Sequence, residues 1–151
     1  NTRRKSIREL YVDYEGTVFH VRILRTPEYV HARTWRKRAG DGSAFRLSRG
    51  IRKIPEPHEN RWRRDPHLKK AFSEKELAMV SSPASAWLRY FVKKAVSSGL
   101  GVSPRAIRVR RGLRKGRGPF PVLMVGGKKY PADLSFSHDG QWIGWFCHWK
   151  A

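Results

Sequence analysis

The sequence predicts an α+β protein in which an antiparallel sheet packs on one long central helix, preceded by an extension that forms a β-hairpin. An apolar stripe recurs at helical spacing over residues 83–98, and four strand-like segments separated by turn residues follow it. Apolar residues make up 39% of the 151, which is enough to build a core. We therefore expect a basic extension over residues 1–43 and one folded domain over residues 44–151.

The extension contains the hairpin signal. Residues 10–14 and 17–23 are rich in β-branched and aromatic side chains, and they flank the turn pair Glu15 and Gly16. A basic aromatic run over residues 35–38 follows, ending in the turn residues 40–42. This change in composition places the domain boundary near Gly42.

Two helices are expected at the start of the domain. Residues 54–67 contain three prolines and read as an irregular surface loop. Ser73 and Glu76 have the capping-box spacing, in which the serine accepts from the backbone of Glu76 and the glutamate side chain reaches back. The central helix over residues 83–98 follows, with Gly99 and Gly101 as its stop signal.

Four strands are expected after the central helix, over residues 107–110, 122–125, 134–137 and 142–148. In the last of them, alternation places Trp145, Cys147 and Trp149 on one face, for which core packing is the default. Cys147 is the only cysteine in the chain. We therefore expect no disulfide within the chain and a buried, small apolar side chain at this position.

The charge of the chain is its outstanding property. It has 33 Lys and Arg against 12 Asp and Glu, a formal net charge of +21. Self-repulsion at this charge favours a polyanionic partner, and nucleic acid is the leading candidate. A membrane surface is disfavoured because no run of about 18 apolar residues occurs and no basic segment has a continuous apolar helical stripe.

Three basic segments are the predicted RNA-binding residues, because dense cations without interleaved acids favour contact with phosphate. Their cations are Arg36, Lys37, Arg38, Arg61, Arg63, Arg64, Arg105, Arg108, Arg110, Arg111, Arg114, Lys115 and Arg117. The third segment, residues 105–118, is expected to be a basic loop. Trp35 and Trp62 lie beside guanidinium groups, where they either stack on unpaired bases or belong to a satellite core under the hairpin.

Three segments, in order, resemble the holo-acyl-carrier-protein synthases, a group of 4′-phosphopantetheinyl transferases. F-S-E-K-E-L at residues 72–77 is similar to the helix start of that family, and R-Y-F-V-K-K-A at residues 89–95, continuing to Gly101, matches its R-F-x-x-K-E-A helix without a gap. L-S-F-S-H-D at residues 134–139 resembles its L-S-x-S-H strand. The resemblance covers residues 44–151 and implies the fold of that family.

The resemblance also implies ligands and a reaction. Enzymes of this family bind coenzyme A and Mg²⁺ and transfer phosphopantetheine to a serine of acyl carrier protein. It implies coenzyme A contacts at Lys93, Ser137 and His138, and catalytic roles for Lys93 and His138 if the enzyme is active. The metal-ligand positions, however, fall on Arg46 and Lys94, and a cation in place of a carboxylate repels Mg²⁺.

Three functions remain open at this point. The first is a catalytically impaired member of the family that contacts RNA in a ribonucleoprotein, such as the mitochondrial ribosome or its assembly intermediate, and that docks acyl carrier protein. The second is an active synthase whose metal ligands come from Asp133, Asp139 or Glu76. The third is a basic structural protein of the ribosome. Charge and family together predict a mitochondrial location.

Overall fold

The structure of the protein, a computed structural model, describes residues 5–14, 16–28, 30–36, 45–55 and 61–150. For a few of these residues it describes the backbone alone: Tyr14, Trp35, Arg36, Phe45, Arg114, Arg117 and Gly118. The chain divides into two compact units, Asn1–Ser43 and Ala44–Ala151. The architecture is α+β, with antiparallel sheets, a few helices and one main helix, as the sequence predicts.

The first unit is a three-stranded antiparallel sheet with the order β1-β2-β3. Its strands are β1 (Ser6–Tyr14), β2 (Thr17–Arg25) and β3 (Val30–Arg36). The predicted hairpin is therefore incomplete, because residues 30–36 form a third strand that pairs with β2. The third strand was not predicted because the basic residues around Trp35 are not typical of a strand. Val30, Ala32 and Thr34 nevertheless alternate as an exposed strand requires.

Cross-strand pairs on one face stabilise this sheet. Glu9 lies opposite Arg22, with 3.2 Å between the carboxylate and the guanidinium Nε, and 3.6 Å from Nε2 of His20. The His20 ring stacks on Tyr11 at a centroid distance of 4.7 Å. Because facing pairs of this kind each stabilise a sheet by under about 1 kcal/mol, they support the register rather than determine the fold.

Within its described residues, the second unit contains six strands and three α-helices. In chain order they are β4 (Phe45–Lys53), α1 (Pro66–Ala71), α2 (Glu74–Met79), α3 (Pro83–Leu100), β5 (Ile107–Arg114), β6 (Arg117–Val125), β7 (Lys128–Lys129), β8 (Ala132–Asp139) and β9 (Trp142–Lys150). The strands form two antiparallel sheets, with the orders β4-β9-β8 and β5-β6-β7.

Helix α3 lies between two clusters of buried side chains. Ala84, Leu88, Val92 and Val96, spaced by four residues, pack with the strands in the larger cluster. Ala86 belongs to the smaller cluster, formed with α1 and α2. Ser82 caps the helix by accepting from the backbone of Ser85, and Gly101 ends it in the left-handed conformation at φ 67°. The prediction of the central helix is confirmed.

The predicted irregular loop over residues 54–67 is partly wrong. Residues 61–64 form a 3₁₀ turn, and α1 begins at Pro66, although a proline inside a helical pattern usually indicates a break. Pro is favoured at the first position of a helix because its missing N–H would have no partner there. Asp65 caps this helix by accepting from the backbone N–H of His67 at 2.8 Å.

The basic segment that was predicted to be a loop is mostly a β-hairpin. Strands β5 and β6 extend to Arg114 and from Arg117, so that only Lys115 and Gly116 form the turn. Gly116 has a φ of 78°, which favours glycine. The loop prediction was wrong because the residues after Val109 lack the apolar alternation of a half-buried strand. An exposed strand does not need that alternation, and the aliphatic stems of arginine side chains fit its positions as well as apolar side chains do.

Cys147 is buried in β9, in the larger cluster, as expected from its isolation in the sequence. Burial and, to a smaller extent, the nearby charge of Asp133 together raise the pKa of its thiol to about 12. The thiolate is the reactive species, and at pH 8 almost none is present.

We expect Cys147 to react with a disulfide reagent at least about 100-fold more slowly in the folded protein than in urea. Comparable reaction rates in the two conditions would contradict the burial of Cys147.

Candidate functional site

A buried ion pair joins α2 to α3. The Lys93 side chain has no exposed surface, and its ammonium lies 2.7 Å from each carboxylate oxygen of Glu76. The ammonium also lies 4.4 Å from the ring centroid of Phe72. Both the carboxylate and the aromatic face stabilise the cation, so the pair belongs to the packing of the smaller cluster.

This pair differs from the predicted capping box in one respect. Ser73 accepts from the backbone N–H of Glu76 at 3.1 Å, as expected. The Glu76 carboxylate, however, accepts from Lys93 instead of reaching back to the helix start, because a buried ammonium needs an anionic partner. Burial lowers the pKa of Lys93; the hydrogen bonds and charge of Glu76 oppose this, and Arg108 and Arg89 add to it.

Beside this pair lies a cleft of about 600 Å³, bounded by α2, the start of α3, and β5. Five cations line it, and Glu76 is the one acid among its described lining residues. The five cations are Lys75, Arg89, Arg108, Arg110 and Arg111. Because Glu76 is already paired with Lys93, the cations of the cleft are left in excess. We refer to this feature as the basic cleft.

The guanidinium of Arg89 is fixed by the protein. Its Nη1 donates to both the backbone carbonyl and the hydroxyl of Ser85, and its Nε donates to the carbonyl of Val109 at 3.3 Å. Burial and the nearby charge of Arg111 lower the pKa of Arg89, and Glu76 opposes this. An arginine stays charged despite such a shift, so the concentration of like charge raises the affinity of the cleft for anions.

A smaller pocket of about 360 Å³ lies on the other side of α2. Arg63, Lys69 and Arg105 line it, together with Glu74 and Ser73. The guanidinium of Arg63 donates to the carbonyls of Leu77 at 2.6 Å and Val80 at 2.9 Å, near the end of α2. Arg105 donates to the carbonyl of Lys69 at 3.1 Å. These arginines therefore connect secondary-structure elements, besides carrying charge.

Of the predicted RNA-binding residues, three line the basic cleft: Arg108, Arg110 and Arg111. Arg61 and Arg64 are exposed in the 3₁₀ turn, and Lys115 is exposed in the turn between β5 and β6. The side chains of Arg36, Arg114 and Arg117 and the residues Lys37 and Arg38 lie outside the described part of the chain. Arg63 and Arg105 have the carbonyl partners given above.

The structure describes the side chain of only one of the two tryptophans in the basic segments. Trp62 is half-buried against the smaller cluster, with the Arg63 guanidinium 4.3 Å from its ring centroid. Trp62 therefore belongs to a satellite core, but one formed by α1, α2 and α3 of the second unit and not the core under the hairpin that was predicted. The Trp35 side chain lies outside the described residues.

The residues implied by the family resemblance lie at separate places. Lys93 is buried against Glu76, whereas Ser137 and His138 are exposed on β8. Lys94 is exposed on α3 and Arg46 is exposed on β4. A ligand reaches the Lys93 ammonium only by displacing Glu76, so a direct cofactor contact there requires a rearrangement. The roles predicted for Lys93, Ser137 and His138 stay predictions.

Comparison of the chain with protein-family models, with curated proteins and with solved structures finds no match. Within the residues that the structure describes, no group of three His, Cys, Asp or Glu side chains is arranged to hold a metal ion. No helix in the same part of the chain is long and apolar enough to cross a bilayer.

Sequence reasoning missed several residues that line the cleft, among them Lys75, Met79, Ser85 and Arg89. Lys75 and Met79 are ordinary surface residues of a short helix, and nothing in their local sequence relates them to β5. Arg89 is part of the helix motif over residues 89–95, which was the one available signal. The cleft arises from the approach of α2 and α3 to β5, which a linear pattern does not encode.

Proposed function

We propose that this protein contacts RNA, with the basic cleft as its main phosphate-binding site. The observation that carries the proposal is the charge of the cleft: five cations, with their one neighbouring carboxylate neutralised by Lys93. Arginine presents several N–H donors in a rigid fork that matches phosphate oxygens, and four of the five cations are arginines. The net charge of +21 supports binding to a polyanion beyond the cleft.

We also propose that the second unit has a holo-acyl-carrier-protein-synthase-like fold that has lost metal-dependent transfer. The order of one strand, short helices, a long helix and antiparallel strands supports it, and the three matching segments fall on the start of α2, on α3 and on β8. The cations Arg46 and Lys94 at the positions of the family's metal ligands support the loss of activity. Docking of acyl carrier protein, which is acidic, is compatible with the excess of cations on this chain.

The proposed setting is a ribonucleoprotein, with the mitochondrial ribosome or its assembly intermediate as the first candidate. In such a particle the phosphates of the RNA offset the repulsion among 33 cationic side chains. The strands and α3 supply a rigid platform, and the basic cleft supplies the contact.

The test compares two double variants with equal changes in charge, using fluorescence anisotropy with a labelled single-stranded RNA. Arg108→Gln/Arg111→Gln removes two cations of the cleft; Arg49→Gln/Lys53→Gln removes two exposed cations of β4. Each phosphate contact changes the slope of log K against log salt by about 0.7 for a single strand. We expect the cleft variant to lose about 1.4 of slope, and the β4 variant to lose much less.

Equal slopes for the two double variants would contradict the cleft as the RNA site. Tight binding of apo acyl carrier protein without salt-sensitive RNA binding would contradict RNA as the main partner. Transfer of labelled phosphopantetheine from coenzyme A to that carrier, with Mg²⁺ present, would contradict the loss of activity.

A further inference from the structure

We infer that the basic cleft takes an unpaired segment of RNA, with a base as well as a phosphate inside the cleft, and that it discriminates against duplex RNA. This inference rests on the proposed function and specifies its ligand. It is carried by the shape of the cleft and by the chemistry of its two sides.

The cleft is not lined by cations alone. Met79, whose side chain is 79% exposed, supplies most of its apolar surface, and the almost fully buried Val80 and Val109 also lie along it. A site that touches only the phosphate backbone needs no apolar wall, since phosphate and ribose are polar. A base offers a flat apolar face, and methionine is a flexible, polarisable side chain that adapts to such a face. Cations beside an apolar wall therefore match a whole nucleotide.

The position of Arg89 supports the same ligand. Bonds to Ser85 and Val109 hold its guanidinium in one plane inside the cleft. A fixed guanidinium plane both donates to phosphate and stacks on an unpaired base, the two contacts that single-stranded RNA sites combine. Because the orientation is fixed before binding, little side-chain entropy is lost when the nucleotide enters.

The concavity of the cleft explains the discrimination. A cavity of about 600 Å³ is within the usual range for sites that enclose a small molecule. In a duplex the bases are paired and stacked, so the helix offers mainly phosphates and 2′-hydroxyls and meets only the rim. An unpaired segment can turn a base into the cleft while its phosphate reaches Arg108 and Arg111. The cleft therefore gains contacts with a single strand that a duplex cannot make.

The test uses one labelled RNA oligonucleotide, free or annealed to its complement, at two salt concentrations. We expect the single strand to bind at least about tenfold more tightly than the duplex. Met79→Asn should weaken binding of the single strand about fivefold and leave duplex binding and the salt slope unchanged. Leu113→Asn is the matched control: Leu113 is 84% exposed and lies outside the cleft, so it should change neither.

Four results would overturn the inference. Equal affinity for the single strand and the duplex, with binding that still weakens as salt increases, would contradict the discrimination against duplex RNA but would agree with the proposed function. Equal effects of Met79→Asn and Leu113→Asn on single-strand binding would show that Met79 does not form a base-binding wall. Binding of adenosine monophosphate as tight as that of the oligonucleotide shows that the cleft serves a small nucleotide rather than an RNA segment. If no RNA binds in a salt-dependent manner, the proposed function fails as well.

Discussion

Replacing Glu76 with alanine should lower the free energy of unfolding by about 3–5 kcal/mol. The substitution leaves the Lys93 ammonium without its carboxylate, and the Lys93 side chain has no exposed surface through which water could replace it. An unpaired buried charge is among the most destabilising changes in a protein core. Urea unfolding followed by circular dichroism measures the effect.

Two further variants separate the charge from the loss of a side chain. Glu74→Ala removes an exposed carboxylate from the same first turn of α2, and should cost less than about 1 kcal/mol. Lys93→Met in the Glu76→Ala background removes the uncompensated charge, and should recover most of the lost stability. A double variant no more stable than Glu76→Ala would show that the ion pair is not the cause.

The same pair predicts a dependence on pH. Burial lowers the pKa of Lys93 from its ordinary 10.5, and removing Glu76 lowers it further because the opposing carboxylate is gone. The folded state then binds the proton less tightly than the unfolded state. The stability of Glu76→Ala should therefore rise as pH increases from the lowered pKa toward 10.5, and stay constant below that window. Unfolding measured from pH 7 to 10 checks the sign.

The second large effect is expected at Gly50, which lies directly opposite Trp145 in the β4–β9 ladder. A Cβ at Gly50 would lie 2.4 Å from the Trp145 ring, which crosses the backbone of β4 at this point. The ring cannot move away freely: it stacks on Phe91 at 4.5 Å, and its Nε1 donates to Ser48 at 3.1 Å. Gly50→Ala should therefore cost about 1–3 kcal/mol.

A double-mutant cycle tests this account. Trp145→Ala alone should cost about 3–5 kcal/mol, because it removes a buried aromatic side chain. In the Trp145→Ala background, Gly50→Ala should cost almost nothing, since the overlapping ring is gone. Additive losses would contradict the overlap as the cause; thermal or urea unfolding of the four proteins gives the coupling energy directly.

The sequence predicted the parts of the fold that have a periodic apolar signal. The stripe from Leu88 to Val96 predicted the central helix, and alternation around Cys147 predicted the last strand and its buried face. It failed where the signal is weak or shared with another structure. Pro66 begins a helix although it reads as a breaker, and the arginines after Val109 continue a strand although they read as a loop.

The candidate site was less predictable, because it depends on tertiary contacts. Arg108, Arg110 and Arg111 were selected on charge alone, and they do line the basic cleft. Nothing in the sequence indicated that α2 would bring Lys75 to them. Lys93 was selected as a ligand contact from the family motif, whereas the structure buries it against Glu76, a partner 17 positions away.

Strand β5 is an edge strand of its sheet, a position that invites pairing with the exposed edge of a second molecule. Arg89 donates a hydrogen bond to the carbonyl of Val109 in this strand, so that this carbonyl has a partner. The charges of Arg108, Arg110 and Arg111 repel the same edge of another copy. We therefore expect the arginines proposed to bind RNA also to oppose edge-to-edge aggregation of the protein. An apolar replacement such as Arg110→Ile would expose a β-rich edge, and the resulting precipitation could be mistaken for a loss of binding. Glutamine is for this reason the safer substitution at these positions.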